Sequence, residues 1–256
     1  STTATFSDNV TATITNSGTL LFNATDAKSV TGTIAEAAGG DTTEVQVINS
    51  ANGEAPSVVT FTATVAVDTL TIGTTTYGGA ALFEEAVTTP TISVVGGDHA
   101  DEDSTATFNK AVTATSGITL NDQTGDAKVI FAANNSVTIT GTIDGASSDE
   151  GTIQVTGATK TFASVIGGSQ ALTLIDIDNT STFNEAISAT NINVASGITA
   201  TAKKAITATA IVLDAGTLEL STTTTATIAG TINGNDTTEG VLHISGANKT
   251  FSGAIG

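Results

Sequence analysis

Ala186–Gly197 reads AISATNINVASG, and nineteen residues later Ala205–Gly216 reads AITATAIVLDAG. Within both copies apolar residues alternate with small polar ones, the period of a strand that buries one face. A repeat only nineteen residues long leaves room for two or three short strands and their corners. A second family extends the pattern. Gly-Thr-Ile occurs at Gly32–Ile34, Gly141–Ile143 and Gly230–Ile232, each ten residues after a large apolar residue: Phe22, Phe131 and Leu220. Downstream, Ile143 to Phe162 and Ile232 to Phe251 are both nineteen steps, while Ile34 to Phe61 is twenty-seven.

Seven of the nine Phe are followed four residues later by Val or Ile, as in Phe83/Val87, Phe108/Val112 and Phe183/Ile187. Charges such as Glu85, Lys110 and Glu185 lie between. In one straight strand such a charge would share the buried face. A corner resolves this: Phe closes one strand, a polar pair turns outward, and Ala-Ile or Ala-Val opens the next. A longer spacing is superposed, with Phe6 to Phe108 at 102 residues, Phe61 to Phe162 at 101 and Phe83 to Phe183 at 100.

These periods predict an all-β chain folded as a parallel β-solenoid, with about 20 residues per coil and about 12 coils, inside a super-repeat of roughly 100 residues. A pair of Thr-rich β-sandwiches is the alternative. The solenoid is expected to run continuously over 1–256, with super-repeat copies at approximately 6–107, 108–182 continuing to 220, and a partial copy at 220–256. The chain opens at Ala-Thr-Phe6 in the register of Ala-Thr-Phe108 and closes at Phe251 in the register of Phe162. That mid-repeat closure reads as a segment of a longer repeat protein, or as ends that meet other copies head to tail.

Composition narrows the function. The 256 residues include 54 Thr, no Cys, Met, Trp or Arg, and carry a net charge of -18. An acidic chain without Arg disfavours nucleic-acid backbones and anionic membrane surfaces. No apolar run approaches the ~20 residues that span a bilayer. Absence of Cys removes disulfides, thiolate metal sites and Cys nucleophiles. Nucleophile-elbow, zinc-protease, phosphate-loop and dinucleotide motifs are missing.

Ala158-Thr-Lys-Thr-Phe162-Ala-Ser-Val-Ile-Gly167 and Ala247-Asn-Lys-Thr-Phe251-Ser-Gly-Ala-Ile-Gly256, together with the Gly-Thr-Ile units, resemble the repeats of autotransporter-type and filamentous-haemagglutinin-like bacterial surface proteins. The likeness is one of repeat style over nearly the whole chain. It implies a secreted β-helical shaft at the cell surface.

Candidate sites are few. His99 and His243 are far apart and both read as surface residues, His243 alternating with Leu242 and Ile244. Asp176 and Asp178 share a face in Leu-Ile-Asp-Ile-Asp. They form a carboxylate pair of the kind glycan-cleaving β-helices use, or simply the outer face of a strand. Hard oxygen donors gather after each Gly-Thr-Ile: Asp144, Asp149 and Glu150; Asp236 and Glu239; Asp41 and Glu44. Asp98, Asp101, Glu102 and Asp103 make a fourth cluster. Calcium is the cofactor these oxygens would suit, although neither the EF-hand nor the glycine-rich nonapeptide spacing is met. Acidic turns that keep the surface soluble are the other reading. Six Asn-x-Ser/Thr triplets are what this Ser and Thr content produces by chance.

The expected function is therefore a non-enzymatic extracellular shaft of a fibre or surface filament, whose partner is itself, head to tail or side by side. An adhesin stalk facing a host or neighbouring cell, a bacteriophage virion fibre and, least favoured, a glycan-active β-helix are the alternatives.

Overall fold

A computed structural model describes residues 3–16, 18–23, 25–37, 43–48, 53–235 and 239–256. Every regular element among them is a β-strand. The chain divides into two compact units, Ser1–Ile130 and Phe131–Gly256.

The first unit holds β1 (Thr3–Phe6), β2 (Ile14–Asn16), β3 (Thr19–Asn23), β4 (Lys28–Val30), β5 (Ile34–Glu36), β6 (Glu44–Ile48), β7 (Val58–Phe61), β8 (Val65–Ala66), β9 (Thr69–Ile72), β10 (Ala80–Phe83), β11 (Val87–Val95), β12 (Ser104–Phe108) and β13 (Val112–Asn121). The unit boundary falls within β14 (Ala127–Phe131). The second unit continues with β15 (Val137–Thr140), β16 (Ile143–Gly145), β17 (Thr152–Val155), β18 (Lys160–Phe162), β19 (Leu172–Ile177), β20 (Ser181–Phe183), β21 (Ile187–Val194), β22 (Thr199–Ala202), β23 (Ile206–Leu213), β24 (Thr217–Thr222), β25 (Ala226–Gly234), β26 (Val241–Gly246) and β27 (Lys249–Phe251).

All the pairings are parallel and join each strand to its counterpart one coil away. In the first unit the orders are β1-β3-β6-β9-β11-β13, β4-β7-β10-β12 and β2-β5-β8. In the second they are β15-β18-β20-β22-β24-β26 and β17-β19-β21-β23-β25-β27. This is a parallel β-solenoid, as the repeat predicts.

Register puts like residues above like. One inward column of the first unit is Leu20–Val45–Leu70–Ile92–Ile118, and another is Ile34–Val65–Val87–Val112. In the second unit Ile153–Ile175–Ile192–Ile211–Ile232 form a column of one residue type. All of these side chains are buried. Phe61 stacks on Phe83 with ring centroids 4.9 Å apart, Phe83 on Phe108 at 5.1 Å, and Phe162 on Phe183 at 5.0 Å. Each such pair adds about 0.5–1.5 kcal/mol beyond its area burial.

The corner reading of the Phe pairs is what the chain does. Phe83 ends β10 and Val87 begins β11; Phe108 and Val112, and Phe183 and Ile187, bracket the same corner. Glu85 and Glu185 lie between them, exposed. Pro90 occurs where β11 shifts register against β13, between Thr89 and Thr91. A residue without an N–H is tolerated at such a break. The Gly of the last Gly-Thr-Ile sits within β25, opposite the register shift in β23 between Thr207 and Ala210: Gly230 has φ +109°, and a Cβ there would lie 2.2 Å from the Ala208 carbonyl oxygen.

The coil is longer than the motif spacing suggests. There are about 10 turns of about 23 residues rather than twelve of twenty. Stacked partners are 19 residues apart at Ile187–Ile206, 22 at Phe61–Phe83 and 25 at Phe83–Phe108. The inner columns fix the strands, while outward loops absorb the variation. Spacings fall to 16 at Thr3–Thr19 and 18 at Thr199–Thr217, so the nineteen-residue repeat belongs to the shorter coils.

The Phe stack dominates one inner face of the first unit. Phe83→Ala opens a cavity between two rings and is expected to cost about 3–5 kcal/mol in a urea melt.

Candidate functional sites: acidic turns and a caged lysine

The acidic residues after Gly-Thr-Ile serve first as hydrogen-bond acceptors. Asp144 Oδ1, in β16, accepts from the Ser169 amide at 2.9 Å and ties that strand to the next coil. Glu150 Oε2 accepts from the Ser147 amide at 3.0 Å and closes the turn it sits on. Asp149 adopts φ 64°, a conformation Asp tolerates better than most residues. Its carboxylate accepts from the Thr190 hydroxyl. Glu44 lies between two coils and accepts from Thr19 and Thr71 hydroxyls, each at 3.2 Å. Glu239 buries Oε2 without a hydrogen-bond partner among the described residues. Asp41 and Asp236 lie outside those residues.

The cluster Asp98, Asp101, Glu102 and Asp103 is pulled apart by the fold. Glu102 is fully buried, and its two oxygens accept from the Gly53 amide at 2.7 Å and the His99 amide at 3.2 Å. Asp98 faces solvent 3.9 Å from His99 Nε2. Asp101 and Asp103 flank a surface groove floored by Pro56, Ala80 and Ala81. Asp103 Oδ1 also accepts from the Asp126 amide at 2.8 Å. Burial raises the Asp126 carboxyl above its ordinary range, with the charges of Asp103 and Asp122 adding to the effect. Sequence spacing missed this trio, because Asp103 comes from the coil before the loop that holds Asp122 and Asp126. Among the described residues no three acidic or His side chains assemble into a group able to hold a metal ion.

Asp176 and Asp178 do share an outward face. With Asn193, Asp214 and Asn235 they line a notch of about 240 Å³. Gln154 Nε2 donates to Asp178 Oδ2 at 2.6 Å. His243 points outward, 3.9 Å from Glu219.

The feature least legible in the sequence is Lys160. Its side chain turns into the coil and is fully buried. The ammonium has three protons to donate. They go to the carbonyls of Ala133 (2.8 Å), Thr156 (2.9 Å) and Ala158. Gly157, at φ +71°, lets the corner fold close: a Cβ there would lie 2.4 Å from the Ala133 oxygen. Lys249 repeats the arrangement, donating to Ser245 and Ala247 carbonyls. Neighbouring coils place Ser181 and Ala200 at the Lys160 position. The available signal was the phrase Gly-Ala-x-Lys-Thr-Phe, which occurs at both corners.

Burial lowers the Lys160 ammonium from 10.5 to about 8. Above about pH 8 the folded protein holds fewer protons at this position than the unfolded chain, which titrates near 10.5. The stability contributed by Lys160 therefore rises with pH across that window. Lys160→Met strips three carbonyls of their donor, a loss of about 1–3 kcal/mol. The gap between wild type and variant, measured by denaturant melts, is expected to widen from pH 8 to 10. Asp144→Ala and Glu150→Ala are each expected to cost about 1 kcal/mol as lost turn hydrogen bonds. That loss should be the same in chelator as in calcium, a comparison that separates acceptor from metal-ligand roles.

No family model matches the chain, and neither the curated proteins nor the solved structures include a match to it.

Proposed function

We propose that this chain is a structural, non-catalytic protein: the β-solenoid shaft of an extracellular fibre or surface filament. The observation that carries the reading is the in-register stacking of identical side chains from coil to coil, typified by the five-Ile column from Ile153 to Ile232. A column of this kind resists bending and shear through the same contacts that fold it. Its backbone donors and acceptors are engaged in ladders, away from proteases.

End-to-end growth fits the same architecture. Val241, Ile244 and Ile255, on the coil of β26 and β27, are 55%, 51% and 53% exposed. Their counterparts one coil back include Leu220 and Ile232, which are buried. A further coil laid on β26 and β27 would cover them, a place for a second copy of this chain head to tail.

Electron microscopy and sedimentation test the reading. The purified chain is expected to form thin fibres that lengthen with concentration, and Ile244→Asp is expected to leave single particles. Dispersed particles at every concentration, unchanged by Ile244→Asp, would overturn self-assembly.

A further inference from the structure

One outer face of the second unit is more regular than a shaft requires. Strands β15, β18, β20 and β22 pair in unbroken parallel register, with Thr138, Thr161, Thr182 and Thr201 directly above one another. Two residues earlier in each coil stand Ser136, Thr159, Thr180 and Thr199. The Val137 amide bonds to the Thr159 carbonyl and the Lys160 amide to the Thr180 carbonyl, which keeps that second row in line. Four successive coils thus present hydroxyl-x-hydroxyl: Ser136-Val-Thr138, Thr159-Lys-Thr161, Thr180-Ser-Thr182 and Thr199-Ala-Thr201.

The result is a two-dimensional lattice of hydroxyls. Ser136, Thr159 and Thr180 directly precede β15, β18 and β20, and Thr199 opens β22; at strand spacing the repeat is about 4.8 Å between coils and about 6.8 Å from row to row. Both distances lie close to the oxygen–oxygen repeats on the prism faces of hexagonal ice. Of the intervening residues Lys160, Ser181 and Ala200 are buried and Val137 is half-buried, all on the inward side of their strands.

The side chains suit an ordered surface. β-Branching confines the Thr χ1 angle, and six of the seven Thr in the lattice are half-buried between neighbours, Thr138 alone being exposed. Little rotamer freedom is left to lose on docking. The hydroxyl of Thr201 donates to Glu219 Oε2 at 3.2 Å. The hydroxyls of the other lattice residues make no hydrogen bond within the described chain. Each therefore keeps a donor and acceptor for water, and each Thr adds a methyl that orders the water around it. The lattice is free of ionised side chains, although the chain carries 32 charged residues. Glu219 closes it at one end, and Lys203, paired with Asn184 at 2.9 Å, bounds it along one side.

We infer that this face binds ice. The hydroxyl rows hold water at lattice positions, and the bound layer merges with a growing ice surface. Nothing in the fibre reading requires this activity. A second copy packed laterally on the same face is the competing occupant. It fits less well, because dry contact would bury the hydroxyls against partners that the chain does not position.

The test measures thermal hysteresis and incorporation into a growing ice hemisphere, using the whole chain. Wild type is expected to show both. Thr161→Lys and Thr182→Lys each place a long charge in the middle of the lattice and are expected to abolish both. Thr207→Lys, on β23 in the other sheet, is expected to leave them unchanged. Circular dichroism melts establish that all three variants fold, and Thr182→Ser, which removes only a methyl, gives a milder probe that is expected to weaken hysteresis. Exclusion of the wild type from ice would overturn the inference, as would lattice variants as active as wild type. A lateral dimer that Thr182→Lys dissociates, seen without hysteresis, would overturn it by assigning the face to a second copy.

Discussion

Parallel register between successive coils is the constraint on which the rest of the structure depends. A strand in this fold has neighbours one coil before and one coil after, both with the same face inward. A one-residue slip would turn every side chain to the wrong face. The columns make such a slip costly. Ile175 lies between Ile153 and Ile192, and Phe83 between Phe61 and Phe108. Backbone ladders set the spacing, and the columns set the phase.

Fixed inner columns leave the outside free to vary. Corners carry the polar pairs, and the register break at Pro90 falls within β11. Loops carry most of the acidic residues, and these are put to work on the backbone, as Glu150 on Ser147 and Glu102 on Gly53. The caged lysine is a corner device of the same kind. Lys160 satisfies two carbonyls of its own turn and one of the coil before it. An orphaned carbonyl there would cost more than the burial of an amine that shares its protons.

The outward face of a regular stack inherits its regularity. Where the sequence places Thr at the same offset in successive coils, the ladder turns a one-dimensional repeat into a surface lattice. The fibre reading and the ice-binding face draw on this one property. The first uses the inner columns and the second the outer rows.

Much of the fold was legible without coordinates, because a repeat exposes its period directly. Residues such as Phe83 and Val87, four apart with charges between them, admit a corner and little else. The nineteen-residue repeat at Ala186 and Ala205 named the solenoid, though it understated the coil, since inserted loop residues leave no mark on the inner columns. The sites were less legible. Asp98, Asp101, Glu102 and Asp103 are neighbours in sequence, yet burial takes Glu102 inward and leaves Asp98 in solvent. The trio of Asp103, Asp122 and Asp126 arises only because coils about 23 residues long bring distant loops together. The sequence by itself determined the strand period, the corners and the small, β-branched, Cys-free composition of each coil. Only the tertiary structure decided which polar groups meet across coils, because those meetings depend on the length of each loop and the register of each ladder. Local sequence carries neither quantity.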